Sequence, residues 1–179
     1  MGRKIIITIL LTAVVLSFAS NVMAKEASPM QFLYVVKQIF PDNPEIAVFI
    51  SEDVLAKEEN ALKRAAAQTQ LQPKIYIIGN SADIGKRMRE LKPNTILIMF
   101  ESELLIKKNT MLYVLSKCKE NELLLVTSSK EYTELGALLG LLYDEDQLQV
   151  VLNLKHNTQL KPKFSQEFVQ VVGIHQIIE

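Results

Sequence analysis

"TILIMFE", residues 95–101, is apolar from Ile96 to Phe100 and ends at a glutamate. Three other runs share this pattern: "EIAVFIS" (45–51), "KIYIIGN" (74–80) and "ELLLVTS" (122–128). Each run is too short for an independent helix and is rich in residues that favour strands. A strand that is apolar at nearly every position is covered on both faces, which is typical of a parallel sheet between helices.

The segments between these runs have the spacing of amphipathic helices. Pro73 and Pro93 end the first two, because proline cannot continue a helix. Alternation of strand and helix with right-handed crossovers predicts an α/β fold, a three-layer Rossmann-like, doubly wound and mostly parallel sheet. In the first helix, the residues expected to face the sheet are Leu55, Leu62, Ala66 and Thr69. The second helix is expected to be capped by Ser81 or Asp83 and to contain Ile84, Met88 and Leu91 on one face. A third helix is expected from Glu103 to Lys119, and a leading helix in "SPMQFLYVVKQIF" (28–40).

The pattern changes after the fourth strand. Residues 130–145 have leucines at helical spacing, yet two glycines and the turn-like "YDED" favour strands, so both interpretations remain open. The alternation that follows favours a C-terminal hairpin from Ala137 to Leu154. The tail from Pro162 to Glu179 is expected to form a short helical turn and then a strand.

The amino terminus has the features of a signal peptide. Arg3 and Lys4 precede an apolar stretch, and small or tolerated residues at Val22 and Ala24 suit cleavage after residue 24. A transmembrane anchor is the alternative, but about 15 apolar residues fall short of the ~20 that span a bilayer. We therefore expect a signal peptide over 1–24, a single domain over 25–179, and a periplasmic or secreted protein.

Charge and cysteine content exclude several functions. Without Arg3 and Lys4 the chain has 18 basic and 20 acidic residues, so a basic nucleic-acid-binding face is not expected. Cys118 is the only cysteine and lies on an apolar helix stripe, which predicts a buried, inert thiol. His156 and His175 have no partner at metal-ligand spacing, so we expect no metal site and place both at the surface.

Polar residues follow each predicted strand where ligands bind in open α/β sheets, beyond the carboxyl ends of the strands. In a sheet of strand order 2-1-3-4, the loops after the first and third strands would lie on either side of the switch point. The simplest interpretation is that these residues only cap helices; the alternative is a binding edge, whose acids would suit a cationic or hydroxylated ligand. The candidates are Ser51, Glu52 and Asp53 after the first strand, Asn80 and Ser81 after the second, Glu101 and Ser102 after the third, and Thr127, Ser128 and Ser129 after the fourth.

Catalytic and cofactor motifs are not evident. Gly79, Gly85 and Lys86 do not have P-loop spacing, and neither histidine accompanies a nucleophile elbow. We expect no cofactor and no enzyme; a hydrolase with Glu101 or Glu52 as general base is the least favoured alternative.

Several segments, in order, resemble the substrate-binding proteins of ABC transporters. They are "VVKQIFPDNPEIAVFISED" (35–53), "LKPNTILIMFESELL" (91–105), "KEYTELGALLGL" (130–141) and "VVLNLKHNTQLKPKFSQEFVQVVGIHQIIE" (150–179). Members of that family have two lobes and chains about twice as long, so this chain looks like one lobe. The resemblance implies a non-enzymatic exported module that binds a small solute, completed by a second copy or a partner such as a membrane transport protein.

The C-terminal part also resembles the YfiR-like periplasmic regulators. The similarity lies in "GALLGLLYDEDQLQVVLNLKHNTQLKPKFSQEFVQVV" (136–172), whereas the paired cysteines of that family are not present. This resemblance implies a regulator or sensor that docks on a membrane signalling protein such as a diguanylate cyclase.

Overall fold

The computed structural model describes residues 26–42 and 44–179. In these ranges the strands form one seven-stranded sheet. The strands are β1 Ile46–Ile50, β2 Lys74–Ile77, β3 Ile96–Met99, β4 Leu124–Thr127, β5 Leu139–Asp144, β6 Gln147–Asn153 and β7 Gln176–Ile178. The helices are α1 Pro29–Ile39, α2 Glu52–Thr69, α3 Ser81–Met88, α4 Lys108–Glu120, α5 Lys130–Leu135 and α6 Gln166–Val171, with a 3-10 helix at Thr158–Lys163.

The sheet has the order β2-β1-β3-β4-β5-β6-β7, and the pairs β2–β1, β1–β3, β3–β4 and β4–β5 are all parallel. At its centre Val48 lies between Ile75 of β2 and Ile98 of β3. Every residue of β1, β3 and β4 is buried, as expected for strands covered on both faces. The order 2-1-3-4 that was used to place the switch point is the order observed.

Helices cover both faces of the sheet, which makes the predicted three layers. Side chains of α1, α2 and the 3-10 helix pack with Val48, Ile98 and Val126 on one face. On the other face, α3, α4 and α5 pack against Phe49 and Leu97. The alternating direction of side chains along a strand explains why neighbouring residues serve different cores.

The ambiguous segment 130–145 contains a short helix and then a strand. Gly136, with φ of 139°, follows the end of α5 and allows the chain to turn into β5. Strand β5 pairs antiparallel with β6, Gly140 lying opposite Val151, so the hairpin predicted from Ala137 to Leu154 is confirmed. The tail also has the expected helix, α6, and a strand, β7, parallel to β6.

The third helix does not begin at Glu103 as predicted, and Glu103 is therefore not in its first turn. Helix α4 begins at Lys108, and Glu103 lies in an exposed turn. The cause is Leu105, which is fully buried and whose carbonyl accepts a hydrogen bond from the Tyr132 hydroxyl at 2.7 Å. That carbonyl therefore serves the packing of α5 instead of a continuous helix.

The cap of α3 was also predicted wrongly. It is Asn80, not Ser81 or Asp83, and its Oδ1 accepts from the backbone N–H of Ala82 at 2.9 Å and of Asp83 at 3.1 Å. The Asp83 carboxylate accepts in return from the Asn80 N–H at 3.1 Å. The two side chains form a capping box that satisfies N–H groups at the helix start.

Strand β2 is not covered on both faces, contrary to the pattern of its sequence. It lies at the edge of the sheet, and Ile75 and Ile77 are 39% and 48% exposed. Tyr76, on the other face, is buried against Phe49.

No helix in ranges 26–42 and 44–179 is long and apolar enough to cross a membrane. The predicted signal peptide, 1–24, lies outside the described residues.

Candidate functional site

The carboxyl ends of the central strands meet at one edge of the sheet. Just past β3, Phe100 N–H donates to the Phe49 carbonyl of β1 at 3.1 Å, and just past β2, Ile78 N–H donates to the Ile50 carbonyl of β1 at 2.9 Å. The loops that follow β1 and β3 therefore start side by side. We call the space above these loops the crevice.

The loop after β1 enters α2 directly. Ser51 is the N-cap residue in extended conformation, but its hydroxyl makes no capping hydrogen bond. The Ser51 Oγ is buried, without a hydrogen bond of normal geometry among the described residues, yet it lies near enough to lower the pKa of Asp53. Glu52 and Asp53 are exposed in the first turn, where their charge suits the helix dipole.

The loops after β2 and β4 are mainly structural. Asn80 caps α3 and Ser81 is its first residue. Thr127 is fully buried, and its hydroxyl accepts from the Ser129 N–H at 3.1 Å. Ser129 caps α5 through the Tyr132 N–H. Of the candidates in these two loops, only Ser128 interacts with a candidate from another loop, Glu101.

Glu101, after β3, is the candidate with the most unusual environment. Its side chain is partly buried, and loss of solvent raises the pKa of its carboxyl. The neighbouring charges of Glu26 and Glu131 raise it further, whereas the Ser128 hydroxyl partly offsets them as a hydrogen-bond donor. Glu101 makes no ion pair within the described part of the chain. Ser102 does not join this group, because its hydroxyl accepts from the Leu105 N–H at 3.4 Å within the following turn.

Glu26 and Glu131 were not predicted as site residues. Burial raises the pKa of Glu26, with a further contribution from the negative charge of Glu58 and an opposing one from Lys57. Glu131 could have been found from the sequence, because it lies in the first turn after the fourth strand. Glu26 reaches the crevice only because α1 docks beside α2, and no local pattern indicates that contact.

The β5–β6 hairpin extends past the edge of the sheet. The last pair between β4 and β5 joins Thr127 to Gly140, and β5 continues to Asp144 paired with β6 alone. The Tyr143 hydroxyl at its end accepts from Gln31 Nε2 of α1 at 2.8 Å. The hairpin is thus attached to the helix whose start lies next to Glu26.

The chemistry available here is carboxylate and hydroxyl chemistry. In ranges 26–42 and 44–179 no group of three or more His, Cys, Asp or Glu residues is placed to hold a metal ion. A partly buried carboxyl, Glu101, that is repelled by neighbouring acids favours a ligand that brings positive charge or hydroxyl donors.

No family model and no curated protein matches the sequence. Solved structures do match the fold. A conserved domain protein from Vibrio cholerae has a TM-score of 0.68 at 13% identity, with 86% of this chain and 61% of that chain covered. The ABC domain in complex with L-Trp from Streptococcus pneumonia has a TM-score of 0.66 at 12% identity, covering 84% and 60%. A ligand-free, open substrate binding protein with adhesive properties from Clostridium difficile has a TM-score of 0.60 at 15% identity, covering 86% and 60%.

The chain shares its fold with these three structures, one of which is a substrate binding protein. The Rossmann-like fold class and the resemblance seen in residues 35–179 are thereby confirmed at the level of fold. The matched region spans about 60% of the length of each of these structures.

Proposed function

We propose that this protein is a non-enzymatic binding module that takes a small cationic or hydroxylated solute at the crevice. The observation that carries the proposal is Glu101, a partly buried carboxyl whose pKa is raised by loss of solvent and by Glu26. Removing a carboxylate from water without a compensating partner is unfavourable. An ammonium or hydroxyl donor of a ligand would supply that partner and lower the pKa again.

The fold supports this placement. In open α/β sheets ligands bind outside the carboxyl ends of the strands, at the point where strand order reverses. Here that point lies between β1 and β3, which carry Ser51 and Glu101 at their ends. The β5–β6 hairpin, which extends past the edge of the sheet, and the start of α1 form the sides of the crevice. A second copy of the chain, or a partner protein, would close the crevice from above.

The proposal is tested by thermal unfolding with a panel of amines, amino acids and polyols. A ligand at 100 times its Kd stabilises the folded state by about 2.7 kcal/mol and raises the melting temperature. We expect Glu101→Gln with Asp53→Asn to weaken binding by about tenfold or more, because a hydrogen bond to a charged group contributes ~1.5–3 kcal/mol.

Glu103→Gln is the matched control, because the Glu103 side chain is 94% exposed and lies outside the crevice. This variant should bind like the unmodified protein. Unchanged affinity in the double variant would contradict the proposal. A cationic ligand should also bind more weakly at low pH, as Glu101 becomes protonated.

A regulator that docks on a membrane signalling protein is the second candidate. It is favoured by the open crevice, since residues 26–42 and 44–179 build only its lower wall and sides. The panel would then give no thermal shift, and a crosslinker at position 101 would capture a membrane protein that the same crosslinker at position 103 does not.

A further inference from the structure

A second concave surface lies at the opposite edge of the sheet. It has a volume of about 580 Å³ and is formed where β4 begins and α4 ends, next to the loops before β5 and after β6. We call it the amino-edge cleft. It shares no residue with the crevice. Its lining consists of Asn94, Leu115, Ser116, Cys118, Lys119, Glu122, Leu123, Leu124, Leu125, Leu135, Gly136, His156, Asn157, Gln159 and Leu160.

The floor of the cleft is apolar and belongs to the core. Cys118, Leu123, Leu125 and Leu160 line it while being only 2–6% exposed. Leu135 stands at the rim and is 46% exposed, a large apolar side chain left partly in water. A ligand that covers this surface gains about 25 cal/mol for each Å² of apolar area removed from water.

The wall formed by the loops is held by hydrogen bonds. Asn157 Nδ2 lies 3.3 Å from the Gly136 carbonyl and 2.9 Å from the Asn153 carbonyl, and donates to both. Asn153 Nδ2 donates to the Thr133 carbonyl at 2.6 Å, and Asn153 is fully buried. The cleft is therefore preformed, so ligand binding would lose little free energy to ordering of these loops.

Polar groups without partners surround the apolar floor. Lys119, Glu122 and His156 line the cleft, and none of the three makes a side-chain hydrogen bond or ion pair within the described residues. Two of these three can donate to a carboxylate, Lys119 through its ammonium and His156 through its ring N–H. The size, the apolar floor and the few polar groups match the general features of small-molecule sites.

A buried hydroxyl lies beside the cleft. Thr95 is 1% exposed and its Oγ1 has no hydrogen-bond partner in the described part of the protein. It is flanked by the lining residue Asn94, and its backbone carbonyl accepts from the N–H of the lining residue Leu124 at 3.0 Å. Alternation along β3 puts its side chain on the face shared by Leu123 and Leu125.

We propose that the amino-edge cleft binds a small amphipathic carboxylic acid, with its apolar body against Leu123 and Leu135 and its carboxylate toward Lys119 and His156. This site does not depend on the proposed function of the crevice. The two sites lie at opposite edges of one sheet, so each can be removed by substitution without the other.

The test uses decanoate as probe and isothermal titration calorimetry on the whole chain, with leucine methyl NMR to locate the site. We expect measurable binding of decanoate, with shifts of the Leu115, Leu123, Leu135 and Leu160 methyl groups. Decyltrimethylammonium, of the same chain length and opposite charge, should bind about tenfold more weakly or worse, a difference of about 1.4 kcal/mol.

Matched variants separate the site from nonspecific association. Leu135→Glu should weaken decanoate binding by about tenfold or more, whereas Leu112→Glu, at a position 49% exposed and outside the lining, should leave it unchanged. Lys119→Met should weaken decanoate without weakening the cationic probe. Glu101→Gln should change nothing here, even if it abolishes binding at the crevice.

Three outcomes would overturn the inference. They are no heat and no methyl shifts with decanoate, equal binding by Leu135→Glu and Leu112→Glu, or equal affinity for the two probes. Both exposed positions tolerate a charge without loss of core packing, so melting curves of the variants should match the unmodified protein.

Discussion

Gly140 occupies a position in β5 where no larger residue fits. A Cβ at this position would lie 2.3 Å from Thr133 Oγ1 and 2.7 Å from Thr133 Cγ2, far inside the roughly 3.5–4.0 Å of a normal contact. Thr133 is fully buried, and its hydroxyl donates to the Ser129 carbonyl at 2.8 Å. Neither side of this contact can move without disturbing the core.

We therefore expect Gly140→Ala to destabilise the domain by about 3 kcal/mol. Overpacking of a core costs about 1–3 kcal/mol, and displacing Thr133 from its hydrogen bond adds about 1 kcal/mol or more. The loss of backbone freedom in the unfolded chain returns about 0.4–1 kcal/mol. The measurement is urea unfolding followed by circular dichroism. The dependence of the unfolding free energy on urea concentration should be the same in both proteins, so that the shift in midpoint reports a change in stability.

Gly85→Ala is the matched control. A Cβ there would lie 2.5 Å from the Tyr113 hydroxyl oxygen, but this atom ends a side chain that is 39% exposed and can swing away. Alanine also has a higher helix propensity than glycine, by about 1 kcal/mol. This variant should be as stable as the unmodified protein or more stable.

A double variant locates the strain. Thr133→Ala removes both atoms nearest to the new Cβ, so Gly140→Ala should cost about 1–3 kcal/mol less in that background than alone. If Gly140→Ala leaves the urea midpoint unchanged, or if Thr133→Ala does not reduce its effect, the close approach between α5 and β5 is not the reason for the glycine.

Three further predictions concern single groups. Folding raises the pKa of Glu101 and Glu26 above the ordinary 4.5, so their protonated forms stabilise the fold at pH below that value, and this stability is lost as the pH rises through the raised pKa values. Glu101→Gln should therefore make the urea midpoint depend less on pH over this range, and an unchanged pH profile would contradict the environment assigned to Glu101. Asn80→Ala should cost about 1 kcal/mol by removing the cap of α3, whereas Ser81→Ala should be neutral in the same thermal unfolding assay. Thr95→Val should be neutral or stabilising by up to ~1 kcal/mol in urea, since it removes a buried hydroxyl without a partner, and a clear loss of stability would mean that this hydroxyl is satisfied.

Much of the fold could be predicted because its decisive signals are local. Runs such as 95–101 show burial on both faces, and Pro73 and Pro93 mark helix ends. The doubly wound, mostly parallel sheet followed from general rules of chain connection, whereas the strand order was only assumed. The start of α4 could not be predicted, because it depends on the Tyr132 hydroxyl reaching the carbonyl of Leu105, 27 residues away.

The candidate residues at the crevice were found by position alone, and their roles differ in ways that position does not indicate. Glu101 and Ser128 interact across two loops, while Asn80, Thr127 and Ser129 satisfy backbone groups nearby. The amino-edge cleft could not be predicted from any local pattern in the sequence. Its lining comes from segments around Asn94, Cys118, Gly136 and His156, which only the tertiary structure brings together.

The two ends of the described chain lie at opposite edges of the sheet. Glu26 lies beside Glu101 above the crevice, whereas Glu179 Oε1 lies 3.6 Å from Lys161 Nζ on the 3-10 helix that borders the amino-edge cleft. A surface tether or label at residue 26 would obstruct the crevice and leave the cleft accessible. One at residue 179 would leave the crevice accessible and would lie next to the 3-10 helix that supplies Gln159 and Leu160 to the cleft, so the choice of attachment point affects which of the two sites a binding measurement samples.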